Sequence, residues 1–235
     1  MFKDKLPLII TIVVLILCVA GIGFFIWMRS ADAAKPKVDS NPAWYLGDPN
    51  GTVTVEIYED FQCPHCKDFT EEIQPKLVED FKGKSVKFVY RHFTIFLPLS
   101  DQLALASETA GAQGKFWEFH DRLFAGQKTI STLDQYLAIA KDLGLNVDQF
   151  RSDYTSAKYK GDVESDKAAA TKLGISSTPT VVVNGKVITA SSTSQLESYE
   201  NAINTALGIP FSTSSSSTAP ATTDSSSSNT ATATQ

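Results

Sequence analysis

The hydrophobic pattern divides this chain into three zones. Leu6 to Met28 carries no charged side chain, and the run exceeds the ~20 apolar residues that cross a ~30 Å hydrocarbon core. It predicts a transmembrane anchor over 6–28, after a short cytoplasmic N-terminus at 1–5. A cleaved signal peptide competes, since Ala31-Asp32-Ala33 resembles a cleavage site, but the run is longer than the ~7–15 residues of such an apolar region. At the other end, Phe211 to Gln235 is almost entirely Ser, Thr, Ala and Pro. It cannot bury enough apolar surface to offset chain entropy, which predicts a disordered tail over 209–235. Ala31 to Asn50 is rich in Ala, Lys, Pro, Asp and Asn and reads as a tether, assigned to 29–43, with little structure of its own before the first strand.

Between these ends the periodicity is that of an α/β domain over 44–208. Thr52 to Tyr58 alternates and is rich in β-branched residues, which predicts a strand. A helical stretch follows from Cys63 to about Phe81, kinked at Pro75 and ended by Gly83. Ser85 to Phe93 reads as a second strand, with Val86, Phe88, Tyr90 and His92 on one face. A right-handed crossover would make the two strands parallel neighbours. From Ser100 to Leu173 apolar residues recur at three-to-four spacing, as in Leu103, Ala106, Ala110 and Phe116, Phe119, Leu123. This predicts four or five helices, a helical insertion over about 98–173. Thr180 to Val183 and Lys186 to Ala190 then flank Asn184-Gly185, a hairpin signal. Ser194 to Leu207 reads as a final helix, stopped by Gly208 and Pro210.

Charge and cysteine content narrow the function classes. The formal net charge is −5, and the 21 basic residues are scattered rather than clustered, so there is no electrostatic footprint for nucleic acid. Of the 3 cysteines, Cys18 lies in the apolar run, where a thiol behaves as a small hydrophobe. The body keeps only Cys63 and Cys66, too close together to staple a fold. Their spacing, Cys63-Pro64-His65-Cys66 directly after a strand, places two thiols at the start of a helix. There unpaired backbone N–H groups and the helix dipole favour a thiolate, to which the imidazole of His65 can add. Cys63 is therefore expected to be acidic and reactive. The same pair could form half of a zinc site, but His65, His92 and His120 are the only histidines and no second CxxC exists, so no metal is assigned.

This element order, with a CxxC at the first strand-to-helix turn and a proline just before the hairpin, resembles the thioredoxin fold. The helical insertion makes it similar to the DsbA-type thiol–disulfide oxidoreductases, including membrane-tethered forms of Gram-positive bacteria. The resemblance rests on Glu59 to Cys66, Gly174 to Thr180 and Val183-Asn184-Gly185. It implies that Cys63 is the exposed, attacking thiol and Cys66 the buried resolving one, and that the Thr178-Pro179 bond is cis, faces the CxxC and binds substrate. Pro64-His65 is the dipeptide of oxidising members, which implies donation of disulfides to reduced or unfolded secreted proteins, with no cofactor. A membrane thiol oxidase would then restore the disulfide. Such a body is extracytoplasmic on a single-pass cell-membrane anchor. That orientation rests mainly on redox grounds, because Lys3 and Lys5 on one side nearly balance Arg29, Lys35 and Lys37 on the other.

Two positions depart from the family pattern. Thr178 stands where the best-known oxidising members carry Val, and isomerases and tethered relatives carry Thr. The buried acid that relays protons falls at Ile57 in this alignment, leaving Glu59, or Glu56 if a bulge returns it to the site, as the candidate proton relay. Phe61, Phe93, Phe96, Phe116, Trp117 and Phe119 are read as core rather than as a groove for clients. An isomerase or reductase of the same fold, and a non-enzymatic tethered metal-binding or interaction module, stay open as alternative functions.

Overall fold

A computed structural model describes residues 44–190 and 195–210. The anchor at 6–28, the tether at 29–43, and the tail from Phe211 onward lie outside the described residues. Among those described, no helix is long and apolar enough to cross a membrane. Strands β1 (Tyr45–Gly47) and β2 (Val53–Glu59) come first, followed by helix α1 (Pro64–Asp68), a π-helical segment (Phe69–Ile73), α2 (Gln74–Asp80) and β3 (Val86–His92). Five helices then intervene: α3 (Leu99–Gly111), α4 (Phe116–Ala125), α5 (Leu133–Asp142), α6 (Val147–Thr155) and α7 (Lys160–Lys172). Strands β4 (Thr180–Val183) and β5 (Lys186–Ile188) and helix α8 (Gln195–Ala206) complete the fold.

The sheet runs in the order β1-β3-β2-β4-β5. β2 and β3 are parallel, paired from Val53 with Val86 to Glu59 with His92, and every other pairing is antiparallel. The β4–β5 turn follows from its two residues. Asn184 and Gly185 both sit at positive φ, 47° and 78°, the geometry that suits Asn-Gly and matches strand twist. β1 corrects the sequence reading, which counted Tyr45 to Gly47 within a structureless stretch. It pairs with β3, and Gly47 permits this: φ is 83° and a Cβ there would lie 2.6 Å from the Val86 carbonyl oxygen.

The expected helix after Cys63 is also broken by more than a kink. Pro75 has no N–H to donate and would clash with the carbonyl four residues back in a regular helix. The π-helical turn just ahead of it changes the register of the hydrogen bonds, so α2 starts afresh with Pro75 in its first turn.

Helices cover both faces of the sheet. Val53, Val55 and Ile57 point to one side, where Phe69, Leu77, Phe81, Tyr199 and Ile203 from the α1–α2 arm and α8 meet them. On the other, Tyr58 and Val182 pack with Ala170 and Ile175 at the end of α7. Glu59 follows the pleat of Val53, Val55 and Ile57, and so ends β2 on the face that carries α1.

Candidate active site

The turn from β2 into α1 is held in place by a carboxylate. Asp60, 1% exposed, accepts the N–H groups of Gln62 at 2.8 Å, Ile95 at 2.7 Å and Phe96 at 3.1 Å, and the Ser100 hydroxyl at 2.7 Å. It thereby ties the loop before the dithiol to the segment after β3. From the insertion, the Gln127 amide donates to the carbonyls of Phe61 and Cys63, both at 2.9 Å. Cys63 is the N-cap of α1, with extended backbone and Pro64 at the first position of the helix, where a missing N–H costs nothing. Its own carbonyl accepts from Cys66 at 3.1 Å and Lys67 at 3.3 Å.

Both cysteines are free thiols and buried, which corrects the expectation of an exposed Cys63: the segment at Thr178 lies over its sulfur and leaves the residue 4% exposed. Their surroundings nonetheless pull the two thiols apart. Cys63 is brought down from 9.0 to about 5, chiefly by the hydrogen bond from the Cys66 thiol, against the cost of burial, with further help from Thr178 and the N–H groups of Cys66 and His65. Cys66 is pushed far up by burial, by the proton it shares toward Cys63, and by the charge of Glu59. One sulfur is thus a stable thiolate at neutral pH and the other a stable thiol. His65 enters through its backbone. Its imidazole is 81% exposed and lies 3.8 Å from Asp68.

Thr178 lies against the dithiol. Cys63 Sγ is 3.3 Å from the Thr178 carbonyl oxygen, and the Thr178–Pro179 bond is cis, as the resemblance implies. A second cis bond, Leu97–Pro98, was not anticipated.

The two candidate relay carboxylates are separated by the strand. Glu59 is completely buried beneath the dithiol, and burial raises its pKa, with His120 and Thr70 offsetting only part of the rise. Glu56 is a correction. β2 pairs with β3 in unbroken register, so no bulge returns Glu56 to the site, and its Oε1 is 3.0 Å from Arg91 Nε on the opposite face. Arg91 also reaches Asp166 at 3.1 Å.

His120, which the sequence raises only as a possible metal ligand, has a fully buried side chain with Nε2 3.9 Å from Glu59 Oε2. Burial disfavours its charged form, yet the carboxylates of Asp121 and Glu59 outweigh this and raise its pKa. Asp60 and Gln127 were likewise missed, because their partners lie on the β3–α3 loop and in the first turn of the site. Of the aromatic set, Phe61, Phe116 and Phe119 are core, while Phe96 is exposed at 45%.

A buried dithiol with one thiol lowered and the other raised in pKa, set at the first strand-to-helix turn beside a cis-proline, defines a thiol–disulfide oxidoreductase of thioredoxin fold. Comparison with known proteins agrees: the family model described as thioredoxin matches residues 39–204, and the chain belongs to that family, as a DsbA-like protein thiol–disulfide oxidoreductase. It is 31% identical over 170 residues to disulfide bond formation protein D of Bacillus subtilis, covering 68% of this chain and 75% of that one. The crystal structure of oxidised BdbD from Bacillus subtilis aligns with a TM-score of 0.63 at 28% identity, over 71% of this chain and 93% of BdbD. A thioredoxin-like oxidoreductase from Silicibacter pomeroyi gives 0.62 at 29%, over 73% and 96%. Part of an Na(+)/H(+) antiporter NhaA 3 from Salinispora tropica is 36% identical over 151 residues, 63% of this chain, which spans only 22% of that antiporter's length.

Proposed function

We propose that this oxidoreductase works as an oxidant outside the cytoplasm, tethered by the Leu6–Met28 segment, and donates the Cys63–Cys66 disulfide to reduced secreted proteins. A client thiolate attacks Cys63 Sγ and forms a mixed disulfide there, with Cys66 as leaving group. Glu59, sealed beneath the pair, supplies the proton that Cys66 then takes up. The client's second thiolate attacks its own sulfur in the mixed disulfide, and Cys63 departs. The backbone beside Thr178 and Pro179 holds the client strand against Cys63, and a membrane thiol oxidase restores the disulfide.

The observation that carries this reading is the Cys63 thiol at about 5. A stable thiolate favours the reduced form, which makes the disulfide oxidising, and it is a good leaving group. The name of the Bacillus subtilis relative, a disulfide bond formation protein, points the same way. The test is the reduction potential of the pair. A value toward the −120 mV end of the ~−270 to −120 mV range supports donation, and one near −270 mV assigns the chain to reduction instead.

A further inference from the structure

Behind the dithiol, a line of ionisable groups runs from the sealed floor of the site to solvent. Glu59 Oε1 accepts from the Thr70 hydroxyl at 3.4 Å, but Oε2 is buried with no hydrogen bond, and the same holds for Nε2 of His120. These two orphaned atoms are 3.9 Å apart. The other imidazole nitrogen lies 2.9 Å from Asp121 Oδ1, whose side chain is 71% exposed. Asp121 opens on a cleft of about 570 Å³ that Thr70, Trp117 and Phe124 also line.

The surroundings of the imidazole make its presence costly. Rings of Tyr90, Trp117 and Phe124 stand 4.9–5.2 Å from it, with Phe61 and Phe116 at 5.6 and 5.9 Å. An apolar ring would fill such a box without leaving a buried nitrogen unpaired. The titratable groups around it are Glu59 on β2, Tyr90 on β3 with His92 beyond it, Cys66 on α1, and Asp121 on α4 itself. Glu59 and Asp121 meet its two nitrogens.

We propose that His120 carries protons between Glu59 and Asp121, and so governs the rate and pH dependence with which buried Cys66 gains and loses its proton. The proposal rests on the thiol–disulfide exchange described above. When a client thiolate attacks Cys63 Sγ, the Cys63–Cys66 bond breaks and its electron pair leaves on Cys66. That thiolate takes the proton of Glu59, Glu59 recovers one from His120, and His120 draws its own from water at Asp121. After the second attack the client has lost two electrons and the dithiol has gained them. One of the client's two thiol protons is matched by the proton on Cys66, and the other stays in water because Cys63 leaves as thiolate. Glu59 Oε2 and His120 Nε2 are 3.9 Å apart at rest, and catalytic hydrogen bonds that are long at rest tighten in the reacting complex. His120 acts through Glu59 and is therefore a positioning residue.

The test is single-turnover oxidation of a reduced two-cysteine peptide by the oxidised full chain, followed from pH 5 to 9. His120→Gln keeps a hydrogen-bonding side chain without the titration, and it should slow Cys66 release about tenfold or more and flatten the pH profile, while the Cys63 titration stays put. Asp121→Asn, an exposed change that leaves the core intact, should move the same limb to lower pH. An active wild type whose two variants keep its rate and profile overturns the relay alone, and should His120→Gln not fold, an unmoved profile in Asp121→Asn does so. A wild type that oxidises no peptide overturns the exchange reading and the relay with it.

Discussion

Two acid–base clusters, one half-buried and one sealed, lie on opposite sides of β2, and their contrast separates what holds this protein together from what lets it react. Toward α7, Arg91 meets Glu56 at 3.0 Å and Asp166 at 3.1 Å, and Asp166 also accepts the His92 N–H at 3.0 Å. Every charge there finds an opposite partner at hydrogen-bond distance. Toward the dithiol, Glu59 and His120 are more deeply buried, yet they stop at 3.9 Å with an unpaired atom on each. Satisfied clusters pin elements together, whereas half-satisfied ones sit where protons move. Two glutamates of one strand thus have different work because the pleat sends them to opposite faces.

The comparison breaks most visibly at Arg91. Arg91→Met leaves two carboxylates facing each other, and urea unfolding should show a loss of about 3 kcal/mol, while the thiol chemistry of Cys63 is unchanged. A variant as stable as wild type would show that the α7-side cluster pins nothing.

Glu59→Gln should do the reverse, keeping the fold while slowing protonation of Cys66 by about 100-fold in the peptide assay. It should also alter how stability responds to pH. The folded carboxyl holds its proton above the ordinary 4.5, so the folded state binds that proton better than the unfolded chain does. Wild-type stability then falls as pH rises from 4.5 through the raised value, and the variant lacks that slope.

The contrast between the two sulfurs sharpens the comparison from within the site. Cys63 is depressed from 9.0 to about 5, so the reduced chain gains stability from it that is complete above 9 and lost as pH falls through about 5. Under reducing conditions, the stability difference between wild type and Cys63→Ser should shrink by about 1.4 kcal/mol per pH unit across that interval. A constant difference would contradict the shift.

Much of this was legible in the sequence because it is written locally. Alternation located β2 and β3, Asn184-Gly185 located the hairpin, and three-to-four spacing pointed to four or five helices between Ser100 and Leu173, where the structure has five. The dithiol announced itself by spacing, and the resemblance supplied the cis bond at Pro179. What stayed hidden depends on contacts between distant segments. β1 is three residues long and exists because β3 offers an edge. The Asp60 anchor needs the backbone of Ile95 and Phe96, and His120 gains its meaning only when α4 docks beside the end of β2. The π-helical turn could be read only in part, since Pro75 signals a break without saying how the helix repairs it. The choice between Glu56 and Glu59 required the strand register, which a single sequence leaves open wherever a bulge is allowed.

The central claim is that Cys63 is a thiolate at neutral pH, and the direct measurement is its titration in the reduced chain, by thiolate absorbance or by the pH dependence of alkylation. The midpoint should lie near 5. A midpoint near the ~8.5 of an ordinary cysteine would contradict the account.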